Sequence, residues 1–142
     1  MKVILIDEDL FALKYLIAKL NQLYWLDIIG VFTDPLMVKE AAETKEVDLV
    51  FLAVETSSFD GMKLAEELTE MDPDLPLVLI AKSREHAVRA FEINVFDYLI
   101  KPVDQDRLRL TVEWVENEKK YKKKVFVRKF IDLEMKKDEV AQ

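Results

Sequence analysis

Three short apolar runs in this chain end on residues with complementary chemistry. The run Lys2–Ile6 is closed by Asp7-Glu8-Asp9, and residues 98–100 are closed by Lys101-Pro102. Paired carboxylates are oxygen donors of the kind that Mg²⁺, a hard cation with octahedral geometry, takes. A lysine ammonium can neutralise an anionic oxygen as charge develops on it. The third run, Asp48-Leu49-Val50-Phe51-Leu52, ends on Ala53, whose methyl group can neither attack an electrophile nor bind a metal. These residues form one constellation only if the three runs are neighbouring strands that end on the same edge of a sheet.

The periodicity of the chain supplies such a sheet. After the first run, Leu13, Leu16, Ile17, Leu20 and Leu23 recur at helical spacing from Leu10 onward. A second strand is expected over 28–32. Thr33-Asp34-Pro35 then reads as a helix start, a capping side chain followed by Pro, with the helix running to about residue 44. The uninterrupted apolar run 48–52 has the pattern of a strand covered on both faces. Asp60 is placed to cap a third helix over 62–71, and Asp72-Pro73-Asp74-Leu75-Pro76 breaks it. A fourth strand follows at 77–80, a helix at about 85–93 and a fifth strand at 98–100. A last helix, capped by Asp104, is expected to about residue 118. Five strands alternating with five helices predict an α/β fold: a flavodoxin-like, doubly wound, five-stranded parallel sheet with helices on both faces. The ends of the first, third and fifth strands then converge.

Composition narrows the function classes. There is no Cys, and His86 is the only His, which excludes thiolate sites, His clusters and a Ser-His relay within one chain. No apolar run approaches the roughly 20 residues of a membrane span. The early acids after Ile6 do not suit a secretory signal. A cytoplasmic location without membrane contact is expected. The net charge of −7 is unevenly spread: residues 119–142 hold nine Lys/Arg against four Asp/Glu, and residues 1–118 hold twelve against twenty-four. The expected division is therefore an acidic domain over 1–118 and, over 119–142, a basic linker with an apolar tail. An acidic body argues against direct nucleic-acid binding by that body.

From residue 1 to about 118 the chain resembles the receiver domains of two-component response regulators. Lys101-Pro102, the preceding Phe96-Asp97-Tyr98-Leu99, and Asp60-Gly61 carry most of the resemblance. The run from Phe91 to Leu99 is most similar to receivers that precede LytTR-type or SARP-type DNA-binding domains. The resemblance implies a phospho-accepting Asp at the end of the third strand, then Met-Pro, then Asp-Gly. The matching positions here are Ala53, Thr56-Ser57 and Asp60-Gly61. It implies an Asp-Asp pair that holds Mg²⁺ after the first strand, where Asp7-Glu8 stands. It also implies a Thr or Ser ending the fourth strand, where Ala81 stands, an aromatic switch at Tyr98, and the phosphoryl-neutralising lysine at Lys101, followed by Pro102.

The departures define the expected function. Nucleophile, switch hydroxyl and Met-Pro are all missing, so a degenerate pseudo-receiver is expected, acting in signal transduction and transcription regulation by protein–protein contact. It is not expected to be an enzyme or to require a cofactor. Mg²⁺ at Asp7 and Glu8 is expected to be weak, and a direct Asp7–Lys101 pair is favoured over a well-occupied metal site. An acceptor-dead engineered variant of an ordinary receiver is the alternative, although a single Asp→Ala exchange would not explain Ala81 or Thr56-Ser57. A flavodoxin-like cofactor binder is a remote second one. It would need a phosphate cradle after the first strand, where this chain has acids, and only Gly30 and Gly61 occur in total.

Partners are expected at two surfaces. In several receiver families the fourth helix, fifth strand and fifth helix form a symmetric dimer face laced with ion pairs. Arg89, Asp97, Arg107 and Arg109 fall on those elements, so a homodimer is expected. A protein partner or a cognate output domain is expected as well, with DNA reached only through an output domain that is absent or truncated here. In the tail, Val125, Val127, Ile131, Leu133 and Met135 alternate with other residues, and the stretch from Phe130 to Met135 is similar to the first strand of SARP-type output domains. A continued helix is the competing expectation. Glu55 is expected to be a solvated loop acid, His86 a surface or partly packed residue, and Met37, Met62 and Met71 core fillers.

Overall fold

β3 (Leu49–Ala53) and β4 (Leu77–Ala81) bury all five of their residues, the pattern of strands covered on both faces. They stand at the middle of the sheet in the computed structural model, which describes residues 1–121. The other strands are β1 (Lys2–Ile6), β2 (Asp27–Phe32) and β5 (Asp97–Ile100). All neighbouring pairs are parallel, in the order β2-β1-β3-β4-β5. The order departs from sequence order only where the chain passes from β2 back across β1 to β3, which is the doubly wound arrangement expected.

The helices are α1 (Leu10–Leu20), α2 (Pro35–Thr44), α3 (Gly61–Met71), α4 (Ala87–Glu92) and α5, which is helical from residue 105 to residue 121. Alternation along the strands sorts them onto two faces. Val3, Leu5, Leu49, Phe51, Val78, Ile80 and Leu99 pack with Leu13 and Leu16 of α1 and with Leu108, Val112 and Val115 of α5. Ile4, Ile6, Val50, Leu52, Leu77 and Leu79 pack with α2, α3 and Ala90 of α4. A one-residue slip in any of these strands would exchange its two sets.

Four aspartates start four helices. Asp9 accepts from the backbone N–H of Phe11 at 2.9 Å, Asp34 from Leu36 at 2.9 Å, Asp60 from Lys63 at 3.1 Å and Asp104 from Arg107 at 3.0 Å. Each satisfies a donor that the first helical turn leaves free. α4 lacks this device: His86 stands at its start and makes no side-chain cap. The helix is accordingly shorter than the expected 85–93, and Asn94 in the left-handed region (φ 66°) turns the chain toward β5.

One further expectation needs correction. Met62 is buried, but Met37 and Met71 are 49% and 40% exposed and fill no core. They sit beside the buried stripes of α2 and α3, which Val38 and Ala41, and Leu64, Ala65 and Leu68, already complete. α5, expected to run to about residue 118, continues through Lys119-Lys120-Tyr121. The apolar alternation from Val125 to Met135 lies outside the described residues.

Candidate functional site at the strand tips

The parallel register brings the ends of β1, β3, β4 and β5 to one edge, with Ile6 beside Leu52, Ala53 beside Ile80, and Ala81 beside Ile100. Asp7 leaves β1 there and is 6% exposed. Its Oδ1 accepts from the backbone N–H of Asp9 at 3.0 Å, and its Oδ2 accepts from Lys101 Nζ at 2.8 Å. Both carboxylate oxygens are therefore engaged, and the lysine charge is already answered. The peptide between Lys101 and Pro102 is cis, and the Lys101 N–H donates to the Ala81 carbonyl at 2.8 Å.

Glu8, the next residue, turns to another loop. Its carboxylate accepts from the backbone N–H groups of Ser57 and Ser58, the latter at 2.9 Å, and from Ser57 Oγ at 3.1 Å. The Ser57 N–H, followed by the contacts with Ser58, brings the Glu8 pKa down to about 2 from an ordinary 4.5. The two acids expected to share a cation thus serve two different loops. Among the described residues no three acidic or His side chains gather as a metal-binding group. As arranged, this donor set fits Mg²⁺ poorly, because a cation that sheds water reluctantly would have to displace a lysine and two backbone donors.

Ala53 ends β3 with a buried methyl, 3% exposed, and Ala81 ends β4 fully buried. Gly61 packs α3 against the same tip: a Cβ there would lie 2.7 Å from Val54 Cα and closer still to the carbonyl oxygens of Ala53 and Val54. A cavity of about 490 Å³ opens beside the Asp7–Lys101 pair, with Ala53, Phe51, Ile80 and Leu16 among its walls. The tip therefore offers a closed ion pair, an apolar recess and, at the end of β3, a methyl group.

Glu55 is not the solvated acid expected. Its Oε2 accepts from the backbone N–H of Lys82 at 2.8 Å, and its Oε1 is buried with no hydrogen-bond partner among the described residues. An orphaned buried acceptor costs about 1–3 kcal/mol, so the position is not a default surface placement. Sequence gave one hint, two residues beyond Ala53, but not the direction of the side chain. Tyr98 lies nearby with its ring buried, and its hydroxyl donates to the Ser83 carbonyl at 2.7 Å. Burial, and then the negative charges of Glu55 and Glu85, push the phenol above its usual value.

The four residues expected on a dimer face are placed differently from one another. Asp97 is buried and accepts from Arg107 Nη2 at 2.9 Å, from Thr111 Oγ1 at 2.7 Å and from the Tyr98 N–H at 2.8 Å, all within its own chain. Arg107 also lies over the Trp114 ring, 5.5 Å from its centre. Arg89 pairs with Glu66 of α3, and Arg109 is exposed. What this side of the molecule presents instead is apolar: Val88, Phe91, Ile100, Leu110 and Trp114 are between 38% and 73% exposed. Val88, Phe91, Leu110 and Trp114 lie off the buried stripes of their helices, and Ile100 is the one exposed residue of β5.

The response regulator receiver domain profile matches residues 3–113. Protein MrkE of Klebsiella pneumoniae is 34% identical over 119 residues, which cover 80% of this chain and 44% of that protein. Transcriptional regulatory protein YpdB of Escherichia coli (strain K12) is 33% identical over 108 residues, 76% of this chain and 44% of that protein. The chain thus spans under half the length of these two curated relatives. Among solved structures, the response regulatory domain of MrkE aligns with a TM-score of 0.75 at 31% identity, covering 83% of this chain and 97% of that domain.

Proposed function

The chain belongs to the response regulator receiver domain family, and on that premise we propose that it is an atypical member, a pseudo-receiver that transfers no phosphoryl group at Ala53. The observation that carries this reading is the tip of β3, where a buried methyl stands while Asp7 and Lys101 close on each other at 2.8 Å. No carboxylate is there to attack phosphorus. Mg²⁺ binds weakly in this reading, held by Asp7 and Glu8 only when their present partners give way, and no cofactor is required. The protein signals by contact, from the cytoplasm, with a protein partner or an output domain, and it reaches DNA only through such a domain. The likeness to YpdB, whose name is that of a transcriptional regulator, supports an output of that kind.

Self-association through α4, β5 and α5 is part of the same reading. Its support is the exposed apolar set Val88, Phe91, Ile100, Leu110 and Trp114, a patch of the kind that marks a protein contact. In this reading the exposed Arg109 of α5 pairs across that contact, whereas Asp97 and Arg107 hold α5 to β5 within one chain.

Intact-mass measurement after incubation with acetyl phosphate and Mg²⁺ tests the central point. Wild type should gain no phosphoryl mass. Ala53→Asp should bind Mg²⁺ more tightly first, because the new carboxylate joins Asp7 at the tip and Glu8 needs only to leave Ser57 and Ser58 to share the ion, and should accept phosphate slowly with Lys101 present. Ala53→Asp with Ala81→Thr should be needed before beryllium fluoride and Mg²⁺ change the oligomeric state. A phosphoryl gain in wild type would end the pseudo-receiver reading.

A further inference from the structure

We propose that Glu55 is an internal anionic latch, a carboxylate that fastens the loop after β3 to the loop after β4 and thereby sets the position of Tyr98. Glu55 leaves β3 two residues beyond Ala53 and reaches across the sheet edge to the Lys82 N–H at 2.8 Å, the first backbone donor after Ala81. Among the described residues this is the only side-chain hydrogen bond between residues 54–60 and residues 82–86. Ala53 and Ala81 end the same two strands with methyl groups, so neither contributes a polar link of its own. The carboxylate that joins the two loops comes from within the chain.

The latch has an output. Lys82 is followed by Ser83, whose carbonyl takes the Tyr98 hydroxyl at 2.7 Å. The Tyr98 ring packs in the core on the α3–α4 side, with Ala81 and Ala90. Its neighbour Asp97 holds Arg107 and Thr111 of α5. Glu55 therefore acts on the α4–β5–α5 face through one loop and one tyrosine. The charge of Glu55 also contributes, after burial, to raising the Tyr98 phenol above its usual value. A charged acceptor on a backbone donor is among the stronger hydrogen bonds available to a loop. The other oxygen, Oε1, is buried between the loops, so the half-buried carboxylate is fixed on one side by the Lys82 N–H and on the other by packing.

This assignment rests on the reading that no phosphoryl group bridges the two loops, and its test separates the two. Glu55→Ala and Glu55→Gln are made in the full chain. Amide exchange at Lys82 is followed by NMR, together with the titration of the Tyr98 phenol carbon. In Glu55→Ala the Lys82 amide should exchange about tenfold faster or more, the equivalent of one hydrogen bond to a charged acceptor. Its Tyr98 titration should fall back toward the usual phenol value. Glu55→Gln keeps an acceptor oxygen but no charge, so Lys82 should stay protected within a few-fold while the Tyr98 titration falls as in the alanine variant. If Lys82 protection and Tyr98 titration are unchanged in Glu55→Ala, there is no latch. Should that variant unfold, an unshifted Tyr98 titration in Glu55→Gln refutes the proposal by itself. A phosphoryl gain by wild type would overturn the phosphoryl-free reading and leave the latch measurements standing.

Discussion

Replacing Asp97 by Ala removes the acceptor at the centre of a network that ties α5 to β5. The cost can be worked from the contacts. Thr111 is fully buried, and its hydroxyl loses a charged acceptor at 2.7 Å while keeping the Arg107 carbonyl at 3.1 Å. Hydrogen bonds to charged groups contribute about 1.5–3 kcal/mol. The Arg107 side chain is 40% exposed and recovers water when its partner goes, so the ion pair itself adds little. A loss of about 2–3 kcal/mol is expected, which for a domain of this size lowers Tm by roughly 6–12 °C. Urea unfolding followed by far-UV circular dichroism, and by the fluorescence of Trp114 next to Arg107, measures it. Thr111→Val combined with Asp97→Ala should show a coupling of about 1 kcal/mol or more. A variant within about 0.5 kcal/mol of wild type but with an altered oligomeric state and salt dependence would refute the reasoning. Asp97 would then be acting between chains.

Three other outcomes follow from the geometry. Trp114→Glu should weaken self-association at least about tenfold, as loss of a central aromatic does, and should leave stability within about 0.5 kcal/mol; analytical ultracentrifugation and urea unfolding check the two halves. Glu8 has its folded pKa lowered from 4.5 to about 2, so its contribution is present above 4.5 and is lost as pH falls through about 2. The Ser57 and Ser58 amide shifts should hold steady through pH 4.5 and move only near 2, and Glu8→Gln should abolish that transition. Gly61→Ala drives a methyl into the backbone of Ala53 and Val54, and a loss of about 1–3 kcal/mol in thermal unfolding is expected from such overpacking.

The sheet and most helices were legible because their signals are local. Leu49–Ala53 is apolar throughout, and Asp9, Asp34, Asp60 and Asp104 each announce a helix by their own position. α4 was overextended because nothing in Glu85-His86 supplies a cap. The Asp7–Lys101 pair was legible as well, since strand order alone brings two strand ends together and leaves opposite charges little choice. Glu8, Glu55 and Asp97 were not, because each had two or more loops or helices within reach. Which one Glu8 takes is decided by the backbone donors of Ser57 and Ser58, 49 and 50 residues away. Asp97 is expected on a dimer face because related receivers carry ion pairs there, and the Thr111 hydroxyl that makes its burial tolerable shows no periodic signature.

The tip is fastened by links that span 94, 49 and 27 residues: Lys101 to Asp7, Ser57 to Glu8, and Lys82 to Glu55. Closing such long loops carries an entropic cost that must be met before the contact gives anything back. The Glu8–Ser57 link needs β1 beside β3, the Glu55–Lys82 link needs β3 beside β4, and the Asp7–Lys101 link needs all four of β1, β3, β4 and β5 side by side. The Asp7–Lys101 pair in particular exists only when the chain between these two residues is correctly threaded. A partner that reads this edge therefore reads whether the whole domain has folded.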